Sequence, residues 1–200
     1  LPATLVVEDP AVIVDCAAYV DGVRQTEVLS LDEVPAWLAK PDAIVWLGLR
    51  MPSAEELLQA GEVLGIRHDE LDEARSPHVR PVLSTQAELT WLVVRTVRWN
   101  TSLRCLMLGE LSLLAGANYL LTIRHGQASP LDGVRHRLEA DGADLASPRS
   151  IFAAVLDHIV EDYRPALDAF EHEAIEEERE VLTNDRPRRP RRLVQLKRDV

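Results

Sequence analysis

Seven carboxylates in two short segments are the residues best suited to chemistry. Asp69, Glu70, Asp72 and Glu73 place four of them within five positions, and Asp157, Glu161 and Asp162 place three more within six. Hard divalent cations such as Mg²⁺ bind through oxygen, commonly through one or two carboxylates with water completing the shell. Both segments supply that chemistry without histidine or cysteine. The competing reading is an acid-rich helix face that is simply solvated, and the residues alone leave both open.

Other constellations fall short of a site. His172 and Glu173 are followed by Glu176 where the zinc-protease helix needs a second histidine, so that class fails and a solvated helix face is expected. His158 and Asp162 stand at i, i+4, a spacing that can hold a metal and is also common by chance. Cys16 and Cys105 lie in apolar runs with neither a CxxC partner nor a nearby histidine, and both read as buried core thiols. Gly109 and Gly116 lie seven apart within apolar strands and do not form a nucleotide loop, and no serine occupies a G-x-S-x-G elbow.

Composition narrows the classes further. The chain has 200 residues, 46 % apolar and 28 % charged, a globular balance for one domain of ordinary size or one with an appendage. Twenty-two basic against 33 acidic residues give a net charge of −11, which repels phosphate backbones and excludes a general nucleic-acid binder. Two cysteines cannot build a disulfide framework, so a reducing compartment is expected, and no signal peptide is visible at the start. Leu106 to Ile123 runs 18 residues with the single charge Glu110, close to the length of a membrane span. Gly116-Ala117-Asn118 interrupts it as a turn, so two buried strands and a soluble chain are expected instead.

The elements that would position the carboxylates follow from pattern. Val12–Val20 and Val23–Leu29, separated by Asp21-Gly22, read as a hairpin. Ser30 with Glu33, and Ser53 with Glu56, are capping boxes that open helices, the second closing at Gly65. Ala43–Leu49 is a continuous apolar run, suited to a strand buried on both faces. His68–Arg75 reads as a short helix, while Leu89–Trp99, Leu106–Ala115 and Tyr119–Arg124 read as strands. Ser129-Pro130 opens a helix through Leu138, with proline in its first turn. After Pro148 a single helical period runs for some 30 residues through Pro165 to Thr183. Thr183–Arg192 is then a turn, and Leu193–Val200 begins a further helix.

The fold class is therefore layered α/β (α+β): an αβα sandwich on a mixed, largely antiparallel sheet, followed by a long helical extension. The segments are a body over 1–147, a long acidic helix over 148–182 and a basic end over 183–200. Charge follows that division. Residues 157–180 hold ten acids and two bases, and residues 181–200 hold two acids and seven bases.

The ordered set of motifs resembles the CorA magnesium transporters. GIRHDELDEARSPHVRP (Gly65 to Pro81) is similar to the family pattern Gly-Ile-His-Pro-Leu-x-x-Glu-Asp followed by His-x-Arg-Pro-Lys. PDAIVWLGL (Pro41 to Leu49) and YLLTIRHG (Tyr119 to Gly126) resemble two of its strands. SPLDGVRHRL and IFAAVLDHIVEDY resemble its next two helices, and VQLKRDV (Val194 to Val200) the start of its stalk helix. The resemblance implies the cytoplasmic domain of a homopentameric Mg²⁺/Co²⁺ channel in the cell membrane, with two membrane helices and a Gly-Met-Asn signature beyond Val200. It also implies that Mg²⁺ between subunits holds the pore shut. Carried over by position, the sensor carboxylates are Asp72, Glu73 and Asp157. The Glu-Asp order is reversed here, and Val82 stands where the family has lysine. A ZntB-like zinc transporter shares the scaffold, so Co²⁺ and Zn²⁺ remain alternatives to Mg²⁺. A stand-alone metal-dependent hydrolase, using His78, His125 and Asp72, is the rival class. The isolated piece is expected to be monomeric or weakly associated, because the stalk and membrane helices hold the family's pentamer together.

Overall fold

A computed structural model describes residues 12–72, 80–86, 88–141 and 143–183. Seven strands form one mixed sheet. In chain order they are β1 (Ile13–Val20), β2 (Val23–Arg24), β3 (Ala43–Arg50), β4 (Val82–Gln86), β5 (Leu89–Asn100), β6 (Cys105–Ala115) and β7 (Tyr119–Gly126). Their order across the sheet is β2-β1-β3-β7-β6-β5-β4. Every neighbouring pair is antiparallel except β3 and β7, which run parallel with Trp46 beside Leu120 and Arg50 beside Arg124.

Helices cover both faces. On one lie α1 (Val34–Leu38), α2 (Ala54–Leu64) and α3 (His68–Asp72), whose Val34, Leu57, Leu64 and Leu71 pack with Val45, Leu47, Val93 and Leu121 of the sheet. On the other lie α4 (Asp132–Asp141) and α5 (Pro148–Thr183), whose Val134, Leu138, Ile151, Val155 and Ile159 pack with Trp46, Leu111, Leu113 and Leu120. Successive strand residues point to opposite faces, so β3, covered on both, can carry an unbroken apolar run. Ala43 through Leu49 are all buried. The αβα sandwich on a largely antiparallel sheet is the architecture the sequence pattern implies.

Local signals explain most elements. Asp21 and Gly22 adopt φ of 50° and 76°, the left-handed pair of a two-residue hairpin turn. The Glu33 carboxylate accepts from the Ser30 amide at 3.0 Å, and that of Glu56 from the Ser53 amide at 2.8 Å. The run from Leu106 to Ile123 is two adjacent antiparallel strands, Leu114 facing Leu121. No helix of the described residues is long and apolar enough to cross a membrane.

Three expectations need correction. The second hairpin strand is two residues long rather than seven; beyond it only single backbone bonds persist, such as Leu29 N to Cys16 O at 3.3 Å. The helix expected at Ser129-Pro130 starts at Asp132, with the Arg135 amide donating to the Leu131 carbonyl. The cause lies on β6: the chain at Gln127–Ala128 crosses so close to Gly109 that a side chain there would meet its backbone, and the crossing keeps residues 127–131 out of the helix. Cys16 is buried, but Cys105, near the start of β6, is only half-buried. The strand β4 went unanticipated. The basic turn and the final helix at 184–200 lie outside the described residues.

Candidate metal site

α3 is five residues long and takes its position from packing. Leu71 is fully buried and leans on α2 at Gly61, where any Cβ would collide with the Leu71 side chain. Gly61 therefore lets α3 close on α2. The Glu70 carboxylate accepts from the Arg67 amide at 3.1 Å at the helix start. Asp69 pairs with the Arg67 guanidinium, and that hydrogen bond holds its carboxyl below the ordinary range. Asp69 and Glu70 also line a cavity of about 130 Å³ with Ser84, Gln86, Leu89 and Trp91. Asp72 is the last residue of α3, and Glu73 lies outside the described residues.

Asp157 lies on α5, on the other side of the sheet, and is exposed. Its acidic neighbours have partners: His158 Nε2 is 3.8 Å from Asp162, and Arg137 Nη1 is 3.9 Å from Glu161. Asp157 has no hydrogen bond or ion pair among the described residues. The sheet thus separates the helix of Asp72 from that of Asp157, and the structure does not bring the two together within one chain. Nor do three histidine, cysteine, aspartate or glutamate side chains converge anywhere among the described residues.

The expectation of a solvated face around His172 holds for His172, which is exposed, and fails for Glu173. Glu173 is buried and accepts from Arg104 Nε at 2.7 Å. A polar network also escaped notice. Arg135 Nη1 donates to the Tyr19 hydroxyl at 2.9 Å and its Nε reaches Asp15 at 3.0 Å, while its guanidinium stacks 3.9 Å above the Trp46 ring. Arg24 joins Asp15 and Glu139 at 2.9 and 3.0 Å. The only signal in the sequence was Asp15 interrupting an apolar strand.

A family model described as "CorA-like Mg2+ transporter protein" matches residues 41–200. The chain belongs to this CorA-like family. Its fold is similar to three solved structures. The full-length CmaX protein superposes with a TM-score of 0.68 at 16 % identity, covering 94 % of this chain and 57 % of that one. The complete CorA magnesium transporter of Methanocaldococcus jannaschii gives 0.61 at 18 % identity, covering 86 % and 53 %. The ZntB cytoplasmic domain of Vibrio parahaemolyticus gives 0.52 at 14 % identity, covering 70 % and 62 %. The chain spans little more than half the length of the first two. No curated protein sequence matches it. At these identities the likeness is one of fold, and within the CorA-like family it sets the αβα body and α5 in correspondence.

Proposed function

We propose that this chain is the cytoplasmic metal-sensing domain of a CorA-like Mg²⁺/Co²⁺ channel, residues 1–147 forming the body, 148–182 the acidic helix and 183–200 the link toward the membrane. Mg²⁺ held between Asp72 and Glu73 of one subunit and a carboxylate of the next favours the closed pore, with Asp157 as a further ligand. The observation that carries this reading is Asp157: exposed, without a partner among the described residues, and on a helix on the opposite side of the sheet from that of Asp72. Acids so placed can share a cation only across an interface between copies.

The donor set suits the ion. Carboxylate oxygens match a hard cation that keeps part of its water, whereas zinc sites draw on cysteine and histidine. That favours Mg²⁺ over the zinc alternative, although the ZntB-like fold keeps a zinc transporter as the second reading. Carboxylates from neighbouring subunits repel when no cation lies between them. A divalent ion cancels that repulsion, and because it binds the closed ring better it shifts the population toward it. No catalytic step is assigned to this chain.

The test is the Mg²⁺-dependent thermal stability of the full-length protein at constant ionic strength. A ligand at ten times its Kd adds about 1.4 kcal/mol to the state it binds. Changing Asp72 and Glu73 together to Asn and Gln should remove most of the Mg²⁺-dependent shift. An undiminished shift in that variant would show the two acids to be plain surface residues.

A further inference from the structure

The parallel pair β3 and β7 is where the sheet's connections part. The chain leaves β3 for α2 on one face and leaves the adjacent β7 for α4 on the other. Connections that diverge from neighbouring parallel strands open a crevice at their carboxyl ends, the place where mostly parallel sheets bind ligands. A cavity of about 130 Å³ lies there, lined by Gly48, Thr122, Arg124, Asp132, Arg135 and His136 among others. Gly48 forms part of its floor, where a Cβ would sit in ordinary contact with Thr122 Oγ1 and the Asp15 carbonyl at 3.4 and 3.5 Å.

Arg124 lines this cavity, and Arg50 stands beside it on the neighbouring strand. Arg50 and Arg124 are register partners on the two strands, on the face that carries Trp46 and Gly48. Like charges side by side on neighbouring strands repel. Among the described residues neither guanidinium has a hydrogen bond or a carboxylate within ion-pair distance. The nearby acids do not neutralise them. Asp15 is engaged by Arg24 at 2.9 Å and Arg135 at 3.0 Å, and Asp132, exposed at the first turn of α4, acts on Arg124 only at longer range. Burial, then the charge of Arg50, lowers the Arg124 pKa below its ordinary value, as expected of a cation lacking a counter-ion. A third arginine, Arg135, paired with Asp15, is more than nine-tenths buried in the cavity wall.

We infer that Arg50 and Arg124 bind a small phosphate-type oxyanion in the cavity under the first turn of α4. Guanidinium groups pair with such oxyanions through two parallel hydrogen bonds, and the free amides of a helix start favour the same charge. The volume is below the range of cavities that enclose whole cofactors, so it takes a phosphate group and leaves any larger body outside. This reading is independent of the carboxylates proposed to sense metal.

The experiment titrates the 200-residue chain with inorganic phosphate, without Mg²⁺, at ionic strength held with NaCl, followed by calorimetry and by ³¹P line broadening. Saturable binding in the millimolar range is expected. In R50Q/R124Q it should weaken at least tenfold, while the circular dichroism spectrum is kept and the phosphate-free Tm is unchanged or higher. Should that double variant fail to fold, R50Q alone should weaken binding at least threefold. AMP binding more tightly than phosphate would identify a phosphomonoester as the source; equal or weaker AMP binding identifies free phosphate. Absence of saturable phosphate binding, undiminished binding in the variants, or citrate binding more tightly than phosphate would each overturn the assignment.

Discussion

Arg104 Nε donates to Glu173 Oε2 at 2.7 Å, and Arg104 Nη2 lies 2.6 Å from the same oxygen. The pair joins the turn between β5 and β6 to α5 across 69 residues of sequence. Arg104 reaches it from a left-handed backbone, φ 51°, in a turn where the Asn100 side chain accepts from the Leu103 amide at 2.8 Å.

The two ends of this pair are unequal. The Arg104 side chain is 44 % exposed and that of Glu173 only 6 %. Removing the arginine takes the charged donor from a buried carboxylate, whereas neutralising the glutamate leaves a cation that water can reach. Arg104→Ala should therefore cost about 2 kcal/mol, and Glu173→Gln no more than about 1 kcal/mol. Urea midpoints at pH 7 check the order; equal losses would show the carboxylate to be held mainly by other groups.

Arg135 serves three partners at once: the Trp46 ring, the Tyr19 hydroxyl and Asp15. A lysine ammonium cannot stack flat and donate in two directions from a fixed fork. Arg135→Lys keeps the charge, yet is expected to lower stability by about 2 kcal/mol. Loss of the shielded Trp46 fluorescence at the same urea midpoint would tie the effect to this stack.

Burial raises the Cys16 thiol from 9.0 to about 12 and the Tyr119 hydroxyl from 10.0 to about 12. Each folded-state value lies above the unfolded one, so each contribution is complete below the unfolded pKa and is lost as pH rises through the folded one. Urea midpoints should hold up to about pH 9, fall from there because of Cys16, and fall faster above about pH 10 once Tyr119 joins, together with Tyr19 and Tyr163, whose hydroxyls burial also raises. Cys16→Ala should delay the onset to about pH 10. An unchanged onset would mean that another group governs alkaline unfolding. In the native state at pH 8, thiol alkylation should reach the half-buried Cys105 well before Cys16.

Asp157 is exposed and has no partner among the described residues. Asp157→Asn should change the stability of this chain by less than about 0.5 kcal/mol, as surface changes usually do. In the full-length protein the same change should reduce the Mg²⁺-dependent rise in Tm. Loss of stability in the isolated chain would assign Asp157 a structural role instead.

Much of the fold was legible because its signals are local. The Asp21-Gly22 turn depends on two residues, each capping box on a serine and a glutamate three apart, and β3 on a run apolar enough for two covered faces. Strand β4 was missed for the converse reason. Its residues VLSTQ are half polar and stand at the sheet edge, where Leu83 is 69 % exposed, and only pairing with β5 makes them a strand. Pro130 promised a helix start, but a close crossing over Gly109 decided the boundary, and no window around the proline contains that contact.

The candidate site divides in the same way. Residue type and spacing marked seven carboxylates in two segments as able to meet a hard cation, because the chemistry of an oxygen donor does not depend on the fold, and the resemblance to the CorA family singled out Asp72, Glu73 and Asp157 among them. Some partners are local, as Asp69 has Arg67 two residues away and Asp162 has His158 at i, i+4; others depended on tertiary structure, as Glu173 is buried against Arg104 from 69 residues away, and Asp157 has no partner among the described residues. Long-range pairs form between side chains that the sheet and α5 bring within 4 Å, and for these sequence separation gives no measure of distance. The juxtaposition of Arg50 and Arg124 is of the same kind. The residues are 74 positions apart, and they became neighbours only when β7 was laid parallel to β3.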